Sequence, residues 1–459
     1  MKKIYKYLAL ILVILLPLHA LLVTTLKCKI WINTNIIRFW KEIILIFLFI
    51  VSFFRVWFIY KWNFSKLYKN NYLLWTITSF AFVSLAFIFL PFFQPKLASF
   101  LGFKYDVFFL IAFVIWLYLP SIKNNFNLIL KSIFIISGLI LVIFLPWYLF
   151  WNISLLSTIF GYSSEVSTYK VNQCISFAQN VNWHHRFQGT FSGPIRWSVF
   201  LTSFYFIFLW FILNIKEKIN NSPINLFYKE NKNKYYLFII IPSIFVITSI
   251  FYSYSKTTIL GLFFWISLFS YLIYKIKFQK KISIKFLLIS WWIWFLAITS
   301  LLILKKNLFL HLGSVINRLD NLKTSVSMFL WNPFGYWLWI AGPASWTGHS
   351  IESAGSWQVA VISTEYTHKF LPENWFVQIL LEQWIIGLAL FSAIIIIILL
   401  KLYKIAKTRK DFISIWILTA FSTLVFMANF THAFEESATS YILFLIIWAW
   451  IAKNNMIKK

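Results

Sequence analysis

"FLPENWFVQILLEQWIIGLALF" runs from Phe370 to Phe391, and its reading decides the fold. A polar turn, Pro372-Glu373-Asn374, opens onto a segment that stays mostly apolar as far as Leu400. A soluble helix buries one stripe and shows water the rest, whereas a segment apolar all round and of this length is solvated by lipid. Glu382 lies inside it. An ionisable group at such depth costs free energy unless a partner compensates, so it is a functional candidate by default.

The pattern recurs along the whole chain. Of 459 residues, 61% are hydrophobic and 12% charged, with a mean hydropathy of +0.77. That composition implies an all-α integral membrane protein and excludes both a soluble fold and the short alternating segments of a β-barrel. About twelve transmembrane helices are expected. They lie near 4–26, 42–60, 72–91, 107–120, 132–151, 197–214, 235–252, 257–274, 286–304, 376–400, 412–429 and 438–452. "MKKIYKYLALILVILLPLHA" opens like a signal peptide, but with so many spans behind it we read an uncleaved first helix. One polytopic domain over 1–459 is expected, with no internal repeat.

The net charge of +29 could point to nucleic acid, and its distribution argues otherwise. Lysines gather in short connectors, such as 216–234, 275–285 and 401–410, which face the cytoplasm by the positive-inside rule. No basic folded face for nucleic acid is visible, while anionic lipid headgroups suit such connectors. The count places both termini in the cytoplasm and leaves the basic 27–41 segment outside, against the rule. The two cysteines, Cys28 and Cys174, fall in outer segments and are expected to be unpaired.

Two long extracytoplasmic loops are expected, 152–196 and 305–375, and connections of that length are usually functional. The first ends "HHRFQGTFSGPIRW" (184–197), where Gly189, Gly193 and Pro194 imply turns and Arg186 and Arg196 flank them. The second places Arg318 on a short amphipathic helix ahead of a turn at Asn332-Pro333. Guanidinium groups at the edge of a bundle suit a pyrophosphate, because they stay charged and pair with phosphate oxygens in parallel. Arg186 and Arg318, set in turn-forming motifs, favour that role. Arg196 and Lys256 are counted as substrate-binding candidates, though snorkelling to lipid phosphates explains them equally well.

Glu373 at a helix start is either a cap for free N–H groups or a general base. His184, His185, His349 and His368 are scattered, with no metal-ligand spacing, and no cofactor is expected. Asp320 and Glu352 read as loop charges, and Glu435-Glu436 as a solvated turn.

In order along the chain, these pieces resemble the O-antigen ligase and O-antigen polymerase superfamily. The resemblance rests on "RFQGTF" (186–191), on "YSKTTILGL" (254–262) with Lys256 in place of an arginine, and on Arg318 before "NPFGYWLWIAG" (332–342). It ends at "ENWFVQILLEQWIIG" (373–387), where many ligases have His-Asn for Glu373-Asn374. It covers roughly 180–395, each motif weak alone but persuasive in order and spacing. It implies a metal-independent glycosyltransferase of the bacterial inner membrane. The donor would be a polyprenyl-pyrophosphate-linked glycan and the acceptor a hydroxyl on a lipid- or glycan-linked saccharide. Arg186 and Arg318 would hold the pyrophosphate, Glu373 would be the base with His368 in reserve, and Gly189 and Asn374 would shape the site. Two other classes stay open. A transporter of lipid-linked saccharides would put charges at mid-membrane, and a non-catalytic assembly subunit would need no paired arginines.

The chain has 25 Trp and 12 Gly, an inverted ratio. Trp337, Trp339 and Trp384 stand where the family pattern carries glycine. The hypothesis is that these codons are UGA, read as glycine in the native organism. The alternative is an ordinary interfacial belt of aromatic residues.

Overall fold

The computed structural model describes residues 2–30, 32, 37–60, 71–89, 96–118, 126–151, 155–162, 180–181, 184–205, 207, 232–279, 292, 312–334, 338, 341 and 372–455. It is a bundle of helices with one two-residue hairpin, β1 (Asn180–Val181) against β2 (His184–His185). In chain order the helices are α1 (Lys2–Leu15), α2 (His19–Cys28), α3 (Trp40–Tyr60), α4 (Tyr72–Phe89), α5 (Lys96–Tyr118) and α6 (Phe126–Trp151). Then come α7 (194–205), α8 (Lys232–Tyr252), α9 (Lys256–Leu272), α10 (Leu312–Trp331), α11 (Trp375–Arg409), α12 (Phe412–Ala428) and α13 (Ser437–Asn455).

Among the described residues, four helical stretches are long and apolar enough to cross a membrane: Tyr72–Phe89, Phe126–Phe150, Lys256–Lys277 and Trp375–Arg409. A fifth is available if the bent pair Tyr7–Leu15 and His19–Cys28 counts as one span. The expected span at 286–304 lies outside the described residues. α4 packs on α11, α11 on α12 and α12 on α9, while α5 is flanked by α3 and α13. α13 is the most enclosed element, with Tyr441 to Ala452 buried throughout.

The expected helix at 4–26 is broken. Pro17 supplies no N–H and its ring clashes with the preceding turn, so the chain bends by 71° between Leu15 and His19. The carbonyl freed at Pro17 accepts from Thr190 Oγ1 at 2.7 Å, so the break anchors the 186–191 turn. α5 starts at Lys96, about three helical turns before the expected 107, which brings Asp106 inside the helix and buries it. Cys28 is disulfide-bonded, which corrects the expectation of a free thiol. Cys174 is the only other cysteine in the chain.

The charged groups sort to two ends of the bundle. One end collects Lys41, Glu42, Lys104, Arg196 and Glu436, which act on one another electrostatically. Lys41 thereby gains carboxylate partners, which accounts for a basic residue on that side. At the other end Arg409 pairs with Asp411 at 2.6 Å and donates to Asn454 at 3.0 Å, and Lys277 lies over the Phe412 ring.

α11 is interrupted inside its apolar run. Gln383 has φ −127°, ψ 16°, and Trp384 has φ 59°, ψ −175°. The latter region is closed to side chains with a Cβ except at a cost of about 1–3 kcal/mol, and glycine occupies it freely. This is the conformation that the codon hypothesis requires at 384, while Trp337 and Trp339 lie outside the described residues. In an ordinary helix Ala is more stable than Gly by about 1 kcal/mol. Here the order should invert, with Trp384→Gly unfolding at a higher temperature than Trp384→Ala. Both lose the Trp384–Phe334 ring contact, so their difference isolates the backbone. A UGG codon at 384, or an alanine variant at least as stable, would remove the inference.

Candidate functional site

Three helix starts and one turn converge at one end of the bundle. After β2 the chain passes through Arg186 and Phe187, and the Phe187 N–H bonds the Tyr252 carbonyl at the end of α8 at 2.9 Å. Arg186 Nε donates to the Ser253 carbonyl at 2.7 Å. The turn closes at Gly189, whose φ of 53° is left-handed. A Cβ there would lie 2.8 Å from the buried Trp197 ring. Pro194 then starts α7, where its missing N–H costs nothing. Trp197 pins that helix to α8 through Nε1 to Ser249 Oγ at 2.7 Å.

Tyr254, at φ 50°, turns the chain from α8 into α9, with Ser255 as N-cap and Lys256 as the first helical residue. Glu373, also at φ 50°, makes the corresponding turn into α11. Asn374 caps α11, its Oδ1 accepting from the N–H groups of Phe376 and Val377 at 3.0 and 3.2 Å. Free N–H groups and the helix dipole make such starts favourable to anions.

Arg318, on α10, joins these pieces. Its Nε donates to Glu373 Oε2, and Nη1 reaches Thr257 Oγ1, beside Lys256, at 3.4 Å. Arg186 lies within its field. Burial first, and the charge of Arg318 second, push the Arg186 guanidinium down to about 10. The structure therefore brings together Arg186, Gly189, Lys256, Arg318, Glu373 and Asn374, residues spread over nearly two hundred positions. His368 and His349 lie outside the described residues, as does most of the second long loop.

Other expectations are not met. Arg196 stands apart from this group, bonded to Ser192 Oγ at 2.6 Å and paired with Glu436 at 3.4 Å. The narrow pocket at Arg186, about 10 Å³, is walled by Phe144, Tyr148 and the 187–189 backbone, with neither Arg318 nor Glu373. Glu435 and Glu436 are largely enclosed rather than solvated, their side chains 5% and 13% exposed, because the turn before α13 folds inward. Glu382 is buried and bonds within the bundle, its Oε1 accepting from Ala341 N and its Oε2 from Gln378, both at 3.4 Å.

Sequence reading missed Asp106. It accepts from Gln383 Nε2 at 2.5 Å, and Gln383 Oε1 accepts from Ser84 Oγ at 2.7 Å, so the kink in α11 seats on α4 and α5. The signal was a carboxylate one residue before a predicted span.

Gly189→Ala should lower the melting temperature by the equivalent of about 1–3 kcal/mol, since it combines left-handed backbone with a ring contact. Gly138→Ala in α6, where a Cβ would meet nothing within 4 Å, should be neutral or stabilising by about 1 kcal/mol. Equal effects at the two positions would show that the 186–191 turn is not held as described. Compared with known proteins, the chain matches no protein-family model and no curated protein.

Proposed function

We propose that this chain is a multi-pass membrane glycosyltransferase of the O-antigen ligase type. It would move a glycan from a polyprenyl-pyrophosphate carrier to a hydroxyl on a lipid- or glycan-linked acceptor. The observation that carries the reading is Arg318 bridging Thr257 at the start of α9 and Glu373 at the start of α11, with Arg186 in its field. Arg318 beside two helix starts, with Arg186 acting on it electrostatically, would present a cationic edge of the kind a lipid diphosphate needs. The disulfide at Cys28 fits an oxidising compartment and so an extracytoplasmic site. The twelve-span topology, the bacterial inner membrane and cytoplasmic termini belong to this proposal.

In the reaction the acceptor oxygen attacks the anomeric carbon, the bond from that carbon to the pyrophosphate oxygen breaks, and the acceptor proton leaves. Arg186 and Arg318 offset charge gathering on the departing pyrophosphate, an effect that is large where the donors are preorganised. Glu373 would take the proton. Its carboxylate rests on Arg318, and a diphosphate competing for that guanidinium releases it. Charge on the donor thus switches on the base.

One observation favours a second reading. Asp106 and Glu382 are both buried and act on each other electrostatically, as carboxylates lining an ion or substrate path in a transporter would.

Purified protein in liposomes with a synthetic polyprenyl-pyrophosphate glycan separates the two. Arg186→Ala and Arg318→Ala should each cut transfer by about 100-fold or more. Glu373→Gln should lower kcat with little change in donor KM. Undiminished transfer in both arginine variants would end the mechanism. Lipid crossing without transfer, abolished by Asp106→Asn, would establish the transporter.

A further inference from the structure

The start of α3 carries a hydrogen-bond arrangement that fixes the protonation state of a lysine. Trp40, the first residue of α3, donates from Nε1 to Nδ1 of His19, the first residue of α2, at 2.9 Å. Lys41 Nζ lies 2.8 Å from Nε2 of the same ring. An indole nitrogen can only donate, so His19 Nδ1 is an acceptor and carries no proton. A neutral imidazole then bears its proton on Nε2, where it donates. An ammonium has three donors and no lone pair, so the group facing that N–H has to be an unprotonated amine. Lys41 is that amine.

Its surroundings act in the same direction. Burial, the largest influence, pushes the Lys41 ammonium down to about 8. Lys104 on α5 and Arg196 on α7 add to the effect, and Glu42 on α3 and Glu436 before α13 oppose it. Both carboxylates are engaged elsewhere. Glu42 lies 3.8 Å from Lys41, beyond hydrogen-bond reach, and is paired with Lys104 at 2.7 Å. Glu436 is paired with Arg196 at 3.4 Å. At pH 7 about a tenth of the Lys41 amine is unprotonated, against under about one part in a thousand for an ordinary lysine.

Lys41 and His19 line a cavity of about 410 Å³, within the range of small-ligand pockets. It opens between the α1–α2 break, the start of α3, α5, the 191–196 turn and the turn into α13, with Tyr105 and Tyr441 on its walls. None of Arg186, Arg318 and Glu373 lines it, so the amine is no part of the arginine site. An unprotonated lysine beside other cations is the form that attacks a carbonyl carbon. The His19 contact then selects the product. An imine nitrogen keeps a lone pair and can accept from His19 Nε2–H as the amine does. An amide nitrogen is a donor only and cannot. The contact therefore tolerates an aldehyde and opposes an acyl group.

We propose that Lys41 is a covalent binding site for a small aldehyde, taken up from the cavity as an imine. Nζ attacks the carbonyl carbon and a C–N bond forms. The carbonyl oxygen leaves as water with the two hydrogens of the amine. No electrons are exchanged, and water reverses the step. The site stands independently of the transferase reading.

Pyridoxal, a small aldehyde, serves as the probe. The full chain is placed in phosphatidylcholine nanodiscs, whose lipid has no primary amine, and treated at pH 7 with pyridoxal and sodium cyanoborohydride. The reductant fixes an imine as a stable secondary amine, and peptide mass spectrometry reads the rate at each lysine. Lys41 should be labelled at least about tenfold faster than Lys323, whose side chain is 83% exposed. Access alone gives the reverse order, since the Lys41 side chain is 9% exposed. Trp40→Phe frees His19 to carry its proton on Nδ1, so that Nε2 accepts from a Lys41 ammonium. Labelling of Lys41 in that variant should fall about tenfold at pH 7, the equivalent of one pKa unit, and match the wild type at pH 10. Lys41 labelled no faster than Lys323, or Trp40→Phe labelled like the wild type at pH 7, would overturn the site. If the variant does not fold, the wild-type comparison decides alone.

Discussion

Arg186 and Arg318 carry like charges to one place at the end of a bundle built from apolar helices, and the surrounding geometry exists to offset that repulsion. Like charges repel more strongly at a protein edge than in bulk water, because the surroundings screen them less. The Ser253 carbonyl, the Thr257 hydroxyl and the Glu373 carboxylate each accept from one of these guanidiniums. Of the three only Glu373 carries a formal charge, so with Lys256 counted the cluster keeps two net positive charges. That residue of charge is what an incoming anion would meet. Holding Glu373 there requires left-handed backbone at a residue that normally avoids it, a cost carried at the site itself.

Much of this was legible because it depends on local chemistry. Helix positions followed from apolar runs bounded by Pro, Asn and Ser, and the starts of α9 and α11 fell within a residue or so of their expected places. The joining of Arg186, Lys256, Arg318 and Glu373 was readable only through the order of motifs, since nothing in spacing alone brings positions so far apart together. What escaped reading depends on non-local packing. Glu435-Glu436 has the look of a solvated turn, and only the packing around the start of α13 encloses its side chains. Asp106 sits one residue before an apolar run, and whether α5 begins before or after it is settled by α3 and α13 on either side. Arg196 has the same flanking glycine and proline as a site residue, yet it faces the opposite side of its own turn.

Pro17 illustrates how a break can serve a site it does not touch. A straight first helix would satisfy the Pro17 carbonyl internally and leave Thr190 without that partner. With the break, Thr190 Oγ1 takes the carbonyl, and Tyr162 donates to the Thr190 carbonyl at 3.1 Å from the opposite side. The turn bearing Arg186 is therefore clamped from the first helix and from the Leu155–Tyr162 segment at once. The disulfide at Cys28 lies in the same neighbourhood, since a Cβ added to Gly161 would come within 3.0 Å of the Cys28 Cβ.

The kink at Gln383-Trp384 has a related logic. A continuous α11 would carry Gln383 with its helix, and the break instead lets Gln383 satisfy both Asp106 and Ser84. Glu382, next to it, turns toward Ala341 at the end of the Asn332-Pro333 loop. One interruption thus ties the α10 loop, α4 and α5 to the helix whose first residues hold Glu373. A side chain at 384 resists that geometry and a glycine permits it, so the residue found there sets how firmly the Arg318–Glu373 contact is held. The same helix carries Gln378 to Glu435. Any shift of its first turn is felt both at the Arg318–Glu373 contact and at the turn before α13.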